Sequence, residues 1–344
     1  MRILILILSV FIYSCNTSSK QDARKVERSF YYWKSNFTLS NAEKQTLSAL
    51  DVKIIYLKFF DVAWDVGSSS AIPIAQVRIS DSAYLHTSAL QIIPTIFITN
   101  ECIFNIDSSQ IKQLAEKISL LVKSIIANNG LQNIHEIQID CDWTASTKEK
   151  YFALLNNLQA FNKTVNLSAT IRLHQIKFLD KTGVPPVVRG MLMCYNMGNL
   201  TNIETGNSIL ETKELQKYVG DLQHYPLPLD VALPLFDWKV LFRNGKFKSL
   251  INDMPDAVLN TVLFKKNGNT FTAMQDSVIF GYDIKKGDVL RNEQCEYEDI
   301  LQSAKIIDKK IANKSLRVSL YHLDTVTLKK YSTHEMESIF NALR

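Results

Sequence analysis

Apolar positions along this chain follow two periods. Residues 108–128 place Ile111, Leu114, Ile118, Leu121 and Ile125 at three- and four-residue steps, the spacing of an amphipathic helix, and Gly130 follows as a stop. Residues 147–161 repeat the pattern with Tyr151, Leu154, Leu155 and Leu158. Shorter helical stretches cover 39–50, with Ser40 as the N-cap, 210–222 and 334–343. Between them lie apolar or alternating segments of strand length at 29–34, 52–61, 91–100, 135–144, 165–174, 189–198, 229–238 and 316–324. Eight strands, most separated by helical pattern, predict a parallel sheet with helices outside it. Eight such units in about the ~250 residues typical of the fold, plus an insertion, predict an α/β protein of the (β/α)8 TIM barrel type over 29–344. An open doubly wound sheet is the rival fold, but no GxGxxG follows the first strand. Residues 246–314 break the rhythm with turn signals and short strands at 270–273 and 277–282, then a helix near 297–312. They predict an insertion between the last two barrel strands, a small hairpin plus the seventh barrel helix.

The segment 135–144 (HEIQIDCDWT) carries the most chemistry. Strict alternation puts Gln138, Asp140, Asp142 and Thr144 on one face and Ile137, Ile139, Cys141 and Trp143 on the other. Two carboxylates about 7 Å apart on one strand face raise one another's pKa unless cations or hydrogen bonds offset them, and acid/base sites use this effect. A solvated strand end whose aspartates cap the next helix would give the same pattern.

The other strands end comparably. Beyond their apolar bodies come Trp33 and Lys34, Lys58 and Asp61, Asn100 and Glu101, Arg172 and His174, Tyr195 and Asn196, Asp237 and Trp238, and finally Tyr321, His322 and Asp324. In a barrel these C-terminal ends form the active-site face. Indole and phenol rings stack on the apolar faces of sugars, while charged and amide groups bind hydroxyls, so the set has the composition of a carbohydrate site. Arg172 can neutralise the aspartate pair through its planar fork. Trp33, Trp143 and Trp238 would equally serve as packing aromatics.

Composition narrows the picture. A charge of +5 over 344 residues without a long basic run does not favour nucleic acid as a partner. At the N-terminus Arg2 precedes a ten-residue apolar run, too short for a spanning helix of about 20 residues, and then Tyr13-Ser14-Cys15. Residues 1–15 thus read as a secretory signal. With cysteine at the cut they resemble a bacterial lipoprotein signal, in which Cys15 is lipidated, although Tyr13 stands where a small residue is usual. Residues 16–28 read as a flexible tether, and the implied location is the bacterial cell envelope, anchored to the outer membrane. Cys102, Cys141, Cys194 and Cys295 lack CxxC or His/Cys spacing, so neither a metal centre nor a cofactor is expected.

These residues also resemble a family. Asp140-Cys141-Asp142-Trp143-Thr144 is similar to the fourth-strand motif D-x-D-x-E of glycoside hydrolase family 18, the chitinases and their relatives. Met193-Cys194-Tyr195-Asn196-Met197 resembles their sixth-strand motif, and residues 232–236 their seventh-strand segment. From 29 to 324 the order of elements further resembles an uncharacterised bacterial lipoprotein family with this barrel, in which the Asp-x-Asp strand precedes a helix bearing a tyrosine such as Tyr151. The family's general acid is the glutamate of the motif, and Thr144 stands there instead. A required general acid is typically worth 10²–10⁴-fold in rate, and threonine cannot protonate a leaving oxygen at neutral pH.

The resemblance implies a membrane-anchored, glycoside-hydrolase-like protein acting on or binding a glycan. In the enzymatic form Asp142 replaces the acid with a pKa raised by Asp140, Asp140 stabilises charge and Tyr195 holds a carbonyl or oxyanion. Glu101 and Asp237 are the next carboxylates for the acid role after Asp142 and are otherwise expected to bind substrate. Trp33, Asp61, Arg172, His174, Asn196 and Trp238 would bind substrate. The alternatives are an inactive glycan-binding lipoprotein and an envelope interaction protein without a sugar site.

Overall fold

The structure is a computed structural model that describes residues 24–252 and 254–344. Eight parallel strands form its centre: β1 (Lys25–Tyr32), β2 (Ile54–Asp65), β3 (Gln91–Ile98), β4 (Glu136–Asp140), β5 (Asn166–Arg172), β6 (Arg189–Met193), β7 (Leu229–Pro234) and β8 (Ser315–Tyr321). Their order is β1-β8-β7-β6-β5-β4-β3-β2, and β1 pairs with β2 to close the ring. The fold is the (β/α)8 barrel that the periodicity predicts.

The two best-patterned helices form as expected, at Ile111–Asn128 and Lys148–Phe161, and pack against one another. Ser40 caps the helix Asn41–Ala49 in a capping box with Glu43. The outward faces of the strands pack on such helices: Ile139, Cys141 and Trp143 are fully buried. Trp143 stacks on Tyr151 with ring centroids 5.1 Å apart, and its Nε1 donates to the Thr182 carbonyl at 2.9 Å. It is a packing residue, removed from any ligand.

Several boundaries depart from the pattern. The signal segment, Cys15 and the tether up to residue 23 lie outside the described residues. The tether's last part is already strand, because β1 starts at Lys25, and Arg24 donates to the carbonyls of Asn313, Ile311 and Leu343 at 2.7–3.0 Å. β4 stops at Asp140, β5 at Arg172 and β6 at Met193. Asp142, His174, Tyr195 and Asn196 therefore stand on the loops or short helices beyond the strands. The helix expected at 210–222 shrinks to Thr212–Gln216.

The insertion is the largest correction. It begins at Trp238, before the expected 246, and it is a five-stranded antiparallel sheet rather than a hairpin. Its order is Lys246–Ile251, Trp238–Arg243, Val289–Glu293, Thr270–Ala273, Phe264–Asn267, with a separate hairpin of Ser277–Ile279 and Tyr282–Ile284. It has its own core, including Leu241, Ile251, Phe271, Ile284 and Leu290. The helix Tyr297–Asp308 then returns the chain to the barrel. Asn244-Gly245, both at positive φ, turns the first hairpin. An Asn-Gly pair between strand segments is a strong hairpin signal, and it was available in the sequence.

The barrel interior is polar. Tyr31, Tyr56, Thr95, Gln138, Asp140, Ser168, Thr170, Asp230 and Ser319 are all buried, where branched apolar side chains dominate in most such barrels. Buried polar groups need partners, and several are met inside: the Tyr31 hydroxyl donates to Gln138 Oε1 at 2.6 Å, and Ser29 Oγ donates to the Val318 carbonyl at 2.9 Å.

Candidate functional site

At the C-terminal mouth the two aspartates differ. Asp140 closes β4 inside the barrel and is 4% exposed. Thr170 Oγ1, from the neighbouring β5, donates to its Oδ1 at 2.6 Å. Burial, reinforced by the charges of Asp142 and Asp61, lifts Asp140 to about 6 against the pull of Arg172 and Thr170. The side chain of Asp142, two residues on, is 49% exposed. Arg172 links them: its Nε bonds to Asp142 Oδ1, and its Nη2 lies 4.0 Å from Asp140 Oδ1. The expected acid was Asp142. The structure instead gives the raised carboxyl to Asp140, while Asp142 is held by the Arg172 guanidinium.

A bulge in β2 completes the charged group. Residues three apart on a regular strand face opposite sides, yet Lys58 Nζ lies 3.1 Å from Asp61 Oδ2. The β2–β3 register slips between Lys58 and Phe60, and one extra residue returns both side chains to one face. Lys58 also stands over the Trp33 ring at 5.8 Å.

Aromatic rings wall the other side. Tyr31 stacks on Tyr56 at 4.9 Å and meets Trp33 at 5.9 Å. Trp33 meets Tyr321 at 5.7 Å, and Tyr321 meets Tyr195 at 5.4 Å and Phe236 at 5.6 Å. Phe236 meets Tyr195 at 5.7 Å and Trp238 at 5.3 Å. Trp33, Tyr321, Phe236 and Trp238 remain partly exposed. Arg172 stands 5.9 Å over Tyr195, whose hydroxyl burial pushes well above its ordinary pKa and which donates to Met193 Sδ at 3.1 Å. Sequence reading missed Phe236 and Tyr31 as members of this wall. Both lie in or beside strands whose ends it did consider.

Where Arg172 meets Tyr195 opens a cleft of about 180 Å3 lined by Asp142, Arg172, Leu173, His174, Tyr195, Asn196, Met197 and Tyr218; the rings of Trp33, Phe236, Trp238 and Tyr321 continue the wall beyond it. Asn196 holds a left-handed φ of 56°, which asparagine tolerates, and its N–H bonds to the Ile209 carbonyl at 2.8 Å. His174 lies on the short helix after β5, and burial holds its imidazole below the ordinary pKa while Asp142 opposes. Three buried polar atoms at or beneath the mouth make no hydrogen bond: Arg172 Nη1, on a residue that lines the cleft, and Asp61 Oδ1 and Gln138 Nε2, on residues that do not. A roomier hollow of about 490 Å3 opens at the other end of β3 and β4, beside His86, Gln91 and His135. Its lining holds no carboxylate and no indole, phenol or phenyl ring.

Two of the expected carboxylates fall away from this group. Glu101 is exposed on the helix Asn100–Asn105, and among the described residues no ion pair joins it to the aspartates. Asp237 is bound by Lys239 at 2.8 Å and Lys330 at 2.6 Å, and despite its burial these bonds hold its carboxyl below the ordinary range. Thr144 is exposed and shares its hydroxyl with Ser146 at 2.9 Å. The four described cysteines are buried, free thiols. Burial lifts Cys102 to about 11, which leaves it protonated and a poor nucleophile.

No family model matches the chain, and no curated protein matches it. Solved structures do resemble its fold. A chitinase from Chromobacterium violaceum superimposes with a TM-score of 0.56 at 9% identity, over 94% of this chain and 100% of that one. A chitinase from Bacteroides thetaiotaomicron gives 0.54 at 13% identity, over 92% and 96%. The Bacillus cereus spore cortex-lytic enzyme SleL gives 0.52 at 12%, over 94% and 75%. At these identities the likeness establishes a shared TIM-barrel fold, the class of protein to which this chain belongs.

Proposed function

We propose that the cleft at the strand ends binds a carbohydrate and that the protein is a glycan receptor built on a glycosidase-type barrel. The observation that carries this reading is Arg172. It lines the cleft, spans Asp140 and Asp142, stands over the Tyr195 ring, and retains a buried Nη1 that makes no hydrogen bond. Donors and acceptors of both kinds next to exposed ring faces suit a sugar, whose hydroxyls do both and whose C–H faces stack. The fold shared with two chitinases and a cortex-lytic enzyme supports the same class of ligand.

Receptor is preferred over hydrolase because the proton donor of the resembling mechanism is missing. Thr144 holds that position, and Arg172 occupies Asp142. One observation favours the hydrolytic reading: Asp140, at about 6, retains a proton fraction near neutral pH. Its burial and its bond from Thr170 keep that proton from the cleft. The two readings part in one experiment. The protein is offered chitin oligomers, soluble cortex fragments and neutral glucans, with binding followed by calorimetry and cleavage by release of reducing ends. Saturable binding without cleavage supports the receptor. Cleavage abolished by Asp140→Asn replaces it with the hydrolase, and no binding to any glycan removes both.

We further propose that Cys15 is lipidated and tethers the barrel to the envelope, at the outer membrane. In a bacterial host, Cys15→Ala is expected to move the protein from the membrane fraction to the soluble one. An unchanged distribution rejects the anchor.

A further inference from the structure

The insertion sends one ion pair into the barrel's mouth. Arg291 and Glu293 lie on the strand Val289–Glu293, both side chains are 0% exposed, and Arg291 Nε donates to Glu293 Oε1 at 2.5 Å. The other carboxylate oxygen, Oε2, takes three donors from two further segments. Trp238 Nε1 donates at 2.7 Å, Ser208 N–H at 2.9 Å and Ser208 Oγ at 2.5 Å. The remaining Arg291 nitrogens donate to the Asn202 carbonyl at 2.6 Å and the Leu200 carbonyl at 3.1 Å. One buried pair thus gathers the loop after β6, which begins at the cleft with Tyr195 and Asn196, and the indole that ends the aromatic wall.

We propose that the Arg291–Glu293 pair is a positioning device for the cleft, fixing the plane of Trp238 and the course of the 196–210 loop that a ligand meets. The proposal rests on the carbohydrate reading of the cleft. Glu293 touches no ligand itself. A hydrogen bond to an ionised acceptor is stronger and more directional than one to a neutral acceptor, so the Glu293 carboxylate holds the indole by its N–H. The wall then continues from Trp238 through Phe236 to Tyr195 at ring spacings of 5.3 and 5.7 Å. The insertion, on this account, completes the site from outside the barrel.

A pair that merely glued the insertion to the barrel would leave Trp238 unmoved in Ser208→Ala, since Ser208 reaches the indole only through Glu293, and would leave glycan affinity unchanged once the fold was intact, which gives the test. The full chain is labelled with fluorotryptophan, its four indoles are assigned by single substitutions, and fluorine spectra are compared for the wild type, Glu293→Gln and Ser208→Ala. Ser208→Ala removes one donor and leaves the ion pair whole, so it remains informative if Glu293→Gln does not fold. The expected result is a shifted or broadened Trp238 resonance in either variant with Trp143, packed under the helix Lys148–Phe161, unmoved. Glycan affinity should fall about tenfold in Glu293→Gln, the size expected for a charge-assisted bond. It should fall no further when Trp238→Phe is added. An unmoved Trp238 resonance overturns the proposal, as do losses that simply add. If no glycan binds, the receptor reading fails while the fluorine result still decides whether Glu293 positions Trp238.

Discussion

Two aspartates in this barrel are raised to about 6, and they sit at its opposite ends. Asp140 lies at the mouth. Asp230, near the start of β7, lies at the floor and is raised by burial against the pull of Arg189 and Arg317. At the floor Arg189 bonds to Asp230 Oδ2 at 2.8 Å, the Arg317 N–H bonds to Asp230 Oδ1 at 2.9 Å, and Arg317 Nη1 bonds to Glu136 at 2.6 Å. Each charge there has an opposite charge in contact, although Glu136 Oε1 and Arg317 Nε, like atoms of the mouth, make no hydrogen bond. At the mouth a single arginine serves two carboxylates, one of them half in solvent, beside partly exposed rings. Perturbed titration is therefore not the mark of the site, since structural networks perturb it equally. What separates the mouth is a half-exposed carboxylate and a run of partly exposed rings beside its arginine.

The comparison is broken most directly by removing each arginine. Arg317→Met leaves Glu136 buried and uncompensated and is expected to cost about 3–5 kcal/mol by denaturant unfolding. Arg172→Met should cost only about 1–2 kcal/mol, because Asp142 hydrates and Asp140 takes up a proton, while glycan binding disappears. Equal stability losses would mean that the mouth is as structural as the floor.

The pH dependence sharpens the contrast. A carboxyl raised on folding binds more protons in the native state than in the unfolded one. Its contribution is therefore most favourable at low pH and is lost as pH rises from about 4, the unfolded value, to about 6, the folded one. Asp140 and Asp230 should each remove on the order of 3 kcal/mol across that window. Denaturation midpoints at pH 4.5 and 7 are expected to converge in both Asp140→Asn and Asp230→Asn. Only Asp140→Asn should also alter glycan affinity, and an effect of Asp230→Asn on affinity would merge the two regions.

Smaller effects test the wall and the motif. Trp33→Ala is expected to weaken binding by about 1–2 kcal/mol with little change in stability, as fits a partly exposed stacking ring. The smallest change belongs to Thr144→Ala. Its exposed hydroxyl bonds to Ser146 at 2.9 Å and reaches the buried Thr147 hydroxyl only at 3.4 Å, so affinity and stability should stay within about 0.5 kcal/mol. A large loss there would make Thr144 a ligand contact in its own right.

Period and residue type were enough to indicate the barrel, the Ser40 cap, the two long helices and the polar face of β4, because each is expressed along a continuous segment. The same local information placed Asp140, Asp142, Arg172 and Tyr195 at one end of the barrel. Which aspartate is raised was decided only by tertiary structure, since burial and charge depend on what β2 and β5 bring alongside. The Lys58–Asp61 pair needed a bulge that exists only when β2 pairs with β3. Asp237 and Glu101 left the site because Lys330 and a short helix lie where strand ends alone could not indicate. The insertion's reach into the mouth is the clearest case. Its Glu293 lies 55 positions from Trp238 and 85 from Ser208, and contacts across such distances arise from the closed fold, with no trace in local spacing.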